Sequence, residues 1–426
     1  MRDQAERSGM RDQAERSGRE IRQERSGMTD HAHNRQMSGN TTLSVLFYVQ
    51  HLLGIGHLVR AHRITSALRD YGFTVTLVTG GMPLAGFDTA GIEHVQLPAI
   101  GLSGEDFQTL VDRQGVPIDD KFRDDRRDVL LDTYHCVHPD VVLLEAFPFG
   151  RRQVRFELLP LIETIANSSN RPLLVASIRD ILQRRTKPGR DETTADLINA
   201  HFDNVLVHGD PQFMPLEASF SHAVDIATRV QYTGLVCGPT PELDAQSFDV
   251  VVSAGGGAVG EKLVSLAIKA SQQLPHTVTW CIITGPNLAE HTFSTLKHDV
   301  PTNVSLVRFR KDFVSVLAQT KVSVSQAGYN TFSDLMQSEC QCVLVPFSAG
   351  GETEQTDRAY RLQELGMATV LPEDSLSAEQ LAKAVDDSLS SKAASSRVSI
   401  NTNGAWMTAR LLHDLYDKRG EIACDS

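Results

Sequence analysis

Apolar residues in this chain cluster in short continuous runs rather than in alternation. Residues 44–50 (SVLFYVQ) form one, the pattern of a parallel strand covered on both faces. A turn containing two glycines follows, Leu53-Gly54-Ile55-Gly56-His57. Leu58, Ala61, Ile64, Thr65, Leu68 and Tyr71 then recur at helical spacing, and Gly72 is placed to end the helix. Residues 73–78 predict the next strand. Strand, glycine turn, helix, strand is the opening unit of a doubly wound α/β sheet. Residues 141–144, 173–177 and 204–207 predict further strands. A stretch with two Gly and two Pro, 231–248, reads as a linker, and the pattern then restarts. A strand at 249–253 leads into a glycine-rich turn at 254–260 and a helix at 261–273. Short strands follow at 277–284, 304–309, 322–325 and 342–345. A last helix, 405–418, carries Trp406, Leu411, Leu412 and Leu415 and has an apolar face for either half.

The first forty residues lie outside this pattern. Residues 1–9, MRDQAERSG, recur letter for letter at 10–18 and in altered form at 19–27. The repeat is rich in charge and poor in large apolar residues, so it is expected to be a disordered tail, with Met28 or Met37 as the expected true start. It lacks the apolar core of a signal peptide. The expected organisation is a tail at 1–40, a first domain at 41–230, a linker at 231–248, a second domain at 249–395, and a terminal helix and tail at 396–426.

Composition narrows the function. The 426 residues are 41% hydrophobic and 22% charged, enough for sizeable cores and two to three domains at roughly 150 residues each. A net charge of −12 argues against a nucleic-acid partner, which needs a cationic surface. No apolar run approaches the roughly 20 residues of a membrane span. The six cysteines contain no CxxC pair, and Cys340 and Cys342 are too isolated for a zinc site. A cytoplasmic protein with reduced thiols is expected.

Three constellations carry candidate chemistry. In the first, Gly54 and Gly56 let backbone approach a ligand, and His57 and Arg60 stand at the start of the following helix. His57 is a candidate general base, the other reading being a histidine that caps the helix. In the second, Gly328-Tyr329-Asn330-Thr331 joins a strand to a helix, where free amides and the Thr331 hydroxyl suit a diphosphate. In the third, residues 345–358 run from a strand into a helix start carrying Glu354, Gln355 and Arg358. Glu354 and Gln355 suit sugar hydroxyls and Arg358 a phosphate. Glu145 ends an apolar strand and should point into the crevice, where it would orient His57, bind an acceptor or pair with an arginine. The charged run 119–128 reads as a solvated helix face.

Together these motifs resemble the GT-B glycosyltransferases, and within them family 28, over about residues 44–395. The resemblance implies two Rossmann-like doubly wound domains facing a central cleft. It implies a UDP-sugar donor in the second half and an acceptor entering from the first. The backbone near Phe309 and Arg310 would face the uracil. The turn from Gly328 through Tyr329 and Asn330 to Thr331 would hold the diphosphate. Asp334, where relatives typically carry Glu, would bind ribose, and Glu354 and Gln355 the donor sugar. Gly255, Gly256 and Gly257 would line the phosphate side. The chain departs from the family pattern in its LLGIGH turn and at Glu354 and Arg358, so the donor sugar does not carry over.

The expected function is therefore inverting transfer from a UDP-sugar to a hydroxyl acceptor, with no metal and no other cofactor. A lipid-linked or glycan acceptor is expected. Leu52, Leu53 and Ile55, with Arg151, Arg152 and Arg155 or Arg179, Arg184, Arg185 and Lys187, suggest peripheral contact with the inner face of the plasma membrane. Two alternatives remain open. The motif from Gly54 to Arg60 is also similar to that of a UDP-sugar hydrolase, and a non-catalytic nucleotide-sugar-binding protein would share the donor motifs.

Overall fold

The computed structural model describes residues 42–52, 54–84, 86–103, 109–184, 188–242, 246–255, 260–285, 288–348, 351–391 and 398–424. The repeat tail, Leu53, Arg185, Lys187, Gly256 and Gly257 therefore lie outside the described residues.

From Leu43 onward the chain is one compact unit containing two parallel sheets. The first runs, in spatial order, Glu93–Gln96, Thr74–Thr79, Ser44–Val49, Val141–Glu145, Leu173–Arg179, Asn204–His208 and Val230–Tyr232. Counted along the chain, that is 3-2-1-4-5-6-7. The second runs Val304–Val307, Trp280–Ile283, Val250–Ser253, Val322–Ser325, Gln341–Leu344 and Ala368–Val370, or 3-2-1-4-5-6. Both are doubly wound sheets whose order reverses between their first and fourth strands, where ligands bind in this architecture.

Continuous apolar runs arise because both faces of each sheet are covered. Val45, Phe47 and Val49 face one core while Leu46 and Tyr48 face another. In the second sheet Val251 faces the shared core and Val250 and Val252 the far side. The shared core is continuous across the two halves. It joins the helix Gly56–Tyr71 to Tyr329 and Phe332, and Phe213 stacks on Phe332 with ring centroids 4.8 Å apart.

The first sheet ends at Tyr232, two residues inside the expected linker. The strand expected at 277–284 shortens to Trp280–Ile283. The terminal helix, Gly404–Cys424, packs on the helix Gly56–Tyr71 of the first half. There Trp406 meets Tyr71 edge-on at 5.6 Å, and Tyr416 donates to Asp140 at 3.1 Å. The chain thus crosses between the halves twice, and the crossings are stitched together. Leu235 N donates to Asn401 O at 2.7 Å, and Gly404 N donates to Leu235 O at 2.9 Å. Gly404 is required there, since a Cβ would strike the Gly234 carbonyl.

The charged run at 119–128 is not wholly a solvated face. It opens the helix Asp120–Val137, capped by Asp119, and Arg126 is fully buried on the face shared with Leu130 and Tyr134. Arg126 bonds Glu157 at 2.5 and 3.0 Å, Gln50 at 2.6 Å and the Gly80 carbonyl at 2.9 Å. Glu157 also accepts from Tyr48. A buried charge persists only with such partners.

Candidate active site

The order reversal of the first sheet sets His57 and Glu145 side by side. His57 starts the helix after the first strand, and Glu145 ends the fourth. His57 Nδ1 lies 2.9 Å from Glu145 Oε1. Glu145 is fully buried and also accepts from Arg60 and, at 2.6 Å, from Ser177 Oγ. Burial alone would raise its carboxyl, but Arg60, His57 and Ser177 outweigh burial and hold it far below the usual carboxylate range. An ionised carboxylate only accepts, so His57 carries its proton on Nδ1 and presents the Nε2 lone pair. Among the described residues Nε2 has no hydrogen-bond partner, and the side chain is 15% exposed. Burial, then the Arg151 charge, lowers the His57 pKa well below 6.5 against the opposing bond from Glu145. The imidazole is neutral at physiological pH, as a base requires.

Arg60 does not line the turn as expected. It is 2% exposed, ion-paired to Glu145, and lies 4.8 Å over the Tyr329 ring. Gly54 and Gly56 have ordinary backbone angles. A Cβ at Gly54 would meet nothing within 4 Å, so protein packing leaves that side of the turn open.

At the second reversal, Gly255 follows the first strand and faces Gln326 at the end of the fourth; a Cβ on Gly255 would come 3.0 Å from Gln326 Oε1. Gly328 has φ −64°, so a sharp left-handed turn is not its purpose, and the space beside it is empty. Thr331 is half-buried. Tyr329 is buried. Its hydroxyl donates to His208 O at 2.8 Å and accepts from Val236 N at 3.0 Å. Asn330 donates to Gly56 O at 3.0 Å. Phe309 is exposed, and Arg310 pairs with Asp312 at 2.6 and 2.9 Å.

The expected donor-binding charges occupy the contact between halves instead of an open pocket. Asp334 binds Arg63 at 2.8 and 2.9 Å and accepts from Gly238 N at 3.1 Å. Arg358 is fully buried and bonds Asp180 at 2.6 and 3.0 Å, Ala327 O at 2.6 Å and Glu354 at 2.9 Å. Against burial, Asp180 and Glu354 hold its pKa above the ordinary arginine value. Glu354 pairs as well with Arg179, and Asp357 with Arg184 at 3.2 Å. Arg179 therefore faces the second half, whereas Arg184, 61% exposed, reaches Asp357 from the surface. Gln355 is turned inward, accepting from Phe347 N at 3.2 Å. Arg151 lies beside the His57–Glu145 pair, its Nε buried without a partner, and burial and Arg179 pull its pKa down to about 10. Among the described residues no group of three or more His, Cys, Asp or Glu is arranged as a metal site, and no helix is long and apolar enough to cross a membrane.

Two doubly wound domains meeting at their order reversals define the GT-B fold. Solved structures with this fold superpose along most of the chain. MurG of Acinetobacter baumannii matches with a TM-score of 0.57 at 15% identity, over 87% of this chain and 99% of that one. A calicheamicin glycosyltransferase matches at 0.56 and 16%, over 89% and 96%. More particularly, residues 250–411 match the family model of the glycosyltransferase family 28 C-terminal domain. Two relatives are each named as the UDP-N-acetylglucosamine–N-acetylmuramyl-(pentapeptide) pyrophosphoryl-undecaprenol N-acetylglucosamine transferase. That of Leuconostoc mesenteroides is 28% identical over 32% of this chain and 38% of its own length. That of Thermotoga neapolitana is 22% identical over 42% and 50%. The chain thus spans at most half the length of these relatives.

Proposed function

We propose that the protein is an inverting glycosyltransferase that moves a sugar from a UDP-sugar to a hydroxyl acceptor. The observation that carries this reading is the neutral, Glu145-oriented His57 at the order reversal of the first sheet. The family 28 match in the second half supports the choice of donor. His57 Nε2 removes the acceptor hydroxyl proton as the oxygen forms its bond to the anomeric carbon. The bond from that carbon to the diphosphate breaks on the opposite side, and UDP leaves with the electron pair. Backbone amides near Gly328 and Thr331 stabilise the leaving charge, so no metal is assigned a role. Gly255 belongs to the phosphate side of this reading and Phe309 to the base. Asp334, Glu354 and Arg358 would contact donor only on exchanging their present partners.

The named substrate of the relatives suggests a lipid-linked acceptor handled at the inner membrane face. The test is UDP release from a panel of UDP-sugars, with and without an extract of membrane lipid and polysaccharide. Release that needs the extract supports transfer. Release without it means a hydrolase in which His57 activates water. UDP binding with no turnover of any donor overturns both.

A further inference from the structure

Behind Glu145 the polar side chains continue inward. Ser177 Oγ stands 2.6 Å from Glu145 Oε2 and 2.8 Å from His208 Nε2, and His208 Nδ1 stands 2.9 Å from Thr233 Oγ1. All four residues are at most 0% exposed. Glu145 and Ser177 are register partners on adjacent strands, and His208 ends the next. Sequence reading assigned no role to Ser177, His208 or Thr233.

The proton positions follow from valence. Glu145 is ionised and only accepts, so the single Ser177 hydroxyl proton points to it. Ser177 Oγ then accepts, and the donor is His208 Nε2–H. Burial, then the Arg60 charge, lowers His208 to about 3, so the ring is neutral and its Nδ1 is a lone pair. The one Thr233 hydroxyl proton has two acceptors at 2.9 Å, that lone pair and the Gly234 carbonyl. The bonds thus run one way from His208 through Ser177 to Glu145.

We propose that Ser177 and His208 are positioning residues that hold Glu145 ionised and in the one orientation that keeps the His57 proton on Nδ1. Neither touches a reacting atom, and no proton travels past Glu145. Burying a hydroxyl and an imidazole costs free energy that apolar residues would not, and here the hydroxyl proton goes to Glu145 Oε2 and the imidazole proton to that hydroxyl. The inference rests on the proposed role of His57 as base.

The test compares Ser177→Ala, Ser177→Thr, His208→Gln and His208→Leu in the full chain. Turnover and UDP affinity are measured alongside a long-range 1H–15N spectrum of histidine-labelled protein. The spectrum of wild type should show His57 protonated on Nδ1 and His208 on Nε2, whatever the activity. Ser177→Ala should lower kcat by about tenfold, as expected for one bond to a charged group, with donor KM unchanged. Ser177→Thr and His208→Gln each keep a donor and should recover most of it, while His208→Leu should not. The groups facing His57 are Arg60 on its own helix, Arg151 on the loop after Glu145, and Glu145 itself. With the Ser177 bond gone, Glu145 keeps more negative charge for His57, so the acidic limb of kcat/KM should move to higher pH. A His57 proton on Nε2, or unchanged kcat and pH profile in well-folded Ser177→Ala, would overturn the inference. A wild type that turns over no donor but shows the stated tautomers would sink the base role and leave the positioning geometry standing.

Discussion

Arg358 and Asp180 stand 178 positions apart and meet through two parallel hydrogen bonds, 2.6 and 3.0 Å long, between the two halves of the molecule. Both side chains are fully buried. Losing one partner of a buried pair costs about 3–5 kcal/mol because the other charge is left desolvated. Glu354 remains beside Arg358, so Asp180→Ala should fall at the low end, about 3 kcal/mol in urea unfolding. Combining Asp180→Leu with Arg358→Met should cost clearly less than the two single changes added, since neither charge is then stranded. Strict additivity would show that the pair is not coupled.

His57→Ala should abolish most turnover. Loss of a general base lowers kcat by about 100- to 10,000-fold. UDP affinity, measured by calorimetry, should stay within about twofold, because His57 lies on the acceptor side of the proposed cleft. Activity near the wild-type level would remove His57 from the mechanism.

The pH profile follows from the direction of the His57 shift. The base works when neutral, so activity is present above its pKa and lost below it. Burial and the Arg151 charge lower that pKa, so the acidic limb of kcat/KM should fall below pH 6.5. Arg151→Gln removes a cation that disfavours the imidazolium, and the limb should move to higher pH. A limb that stays in place would show that Arg151 does not act on His57.

Stability should also weaken in acid. His208 is neutral when folded down to about pH 3, whereas in the unfolded chain it gains a proton near 6.5. The unfolded state therefore binds more protons between those values, and stability is lost as pH falls through that window. Glu145 adds to the loss lower down, since its folded carboxyl stays ionised below the ordinary value of 4.5. Melting temperatures from pH 7 to pH 4 should decline, and His208→Gln should flatten part of the decline. Equal slopes for both proteins would contradict the assignment.

Much of the fold was legible because covered strands are written as continuous apolar runs, such as the one beginning at Ser44. The edge strand Val304–Val307 was among them, but two other edges were not. Glu93–Gln96 and Ala368–Val370 are short and partly exposed, so they carry little pattern. His57 was legible from its glycine turn and Glu145 from an acid ending an apolar strand. Arg126 could have been found from its spacing with Leu130 and Tyr134, which share its buried face. The partners of Asp334, Glu354 and Arg358 could not. They are set by how one half meets the other, and no local spacing encodes a counter-ion from a distant strand.

The stitched crossings at Leu235, Asn401 and Gly404 bear on how such a molecule admits a ligand. Two connections placed apart would fix the halves like two bolts through a plate. Two connections side by side leave a single line to swing about. Arg63 touches the Val236 carbonyl while gripping Asp334, so that pair sits on the line itself. Arg358 with Asp180, and Gln183 with the Gly351 carbonyl, make no bond to the line and act as its latch. Opening that latch would part Arg358 from Asp180 and Glu354 from Arg179 in one stroke, while Arg358 and Glu354 keep the bond between them.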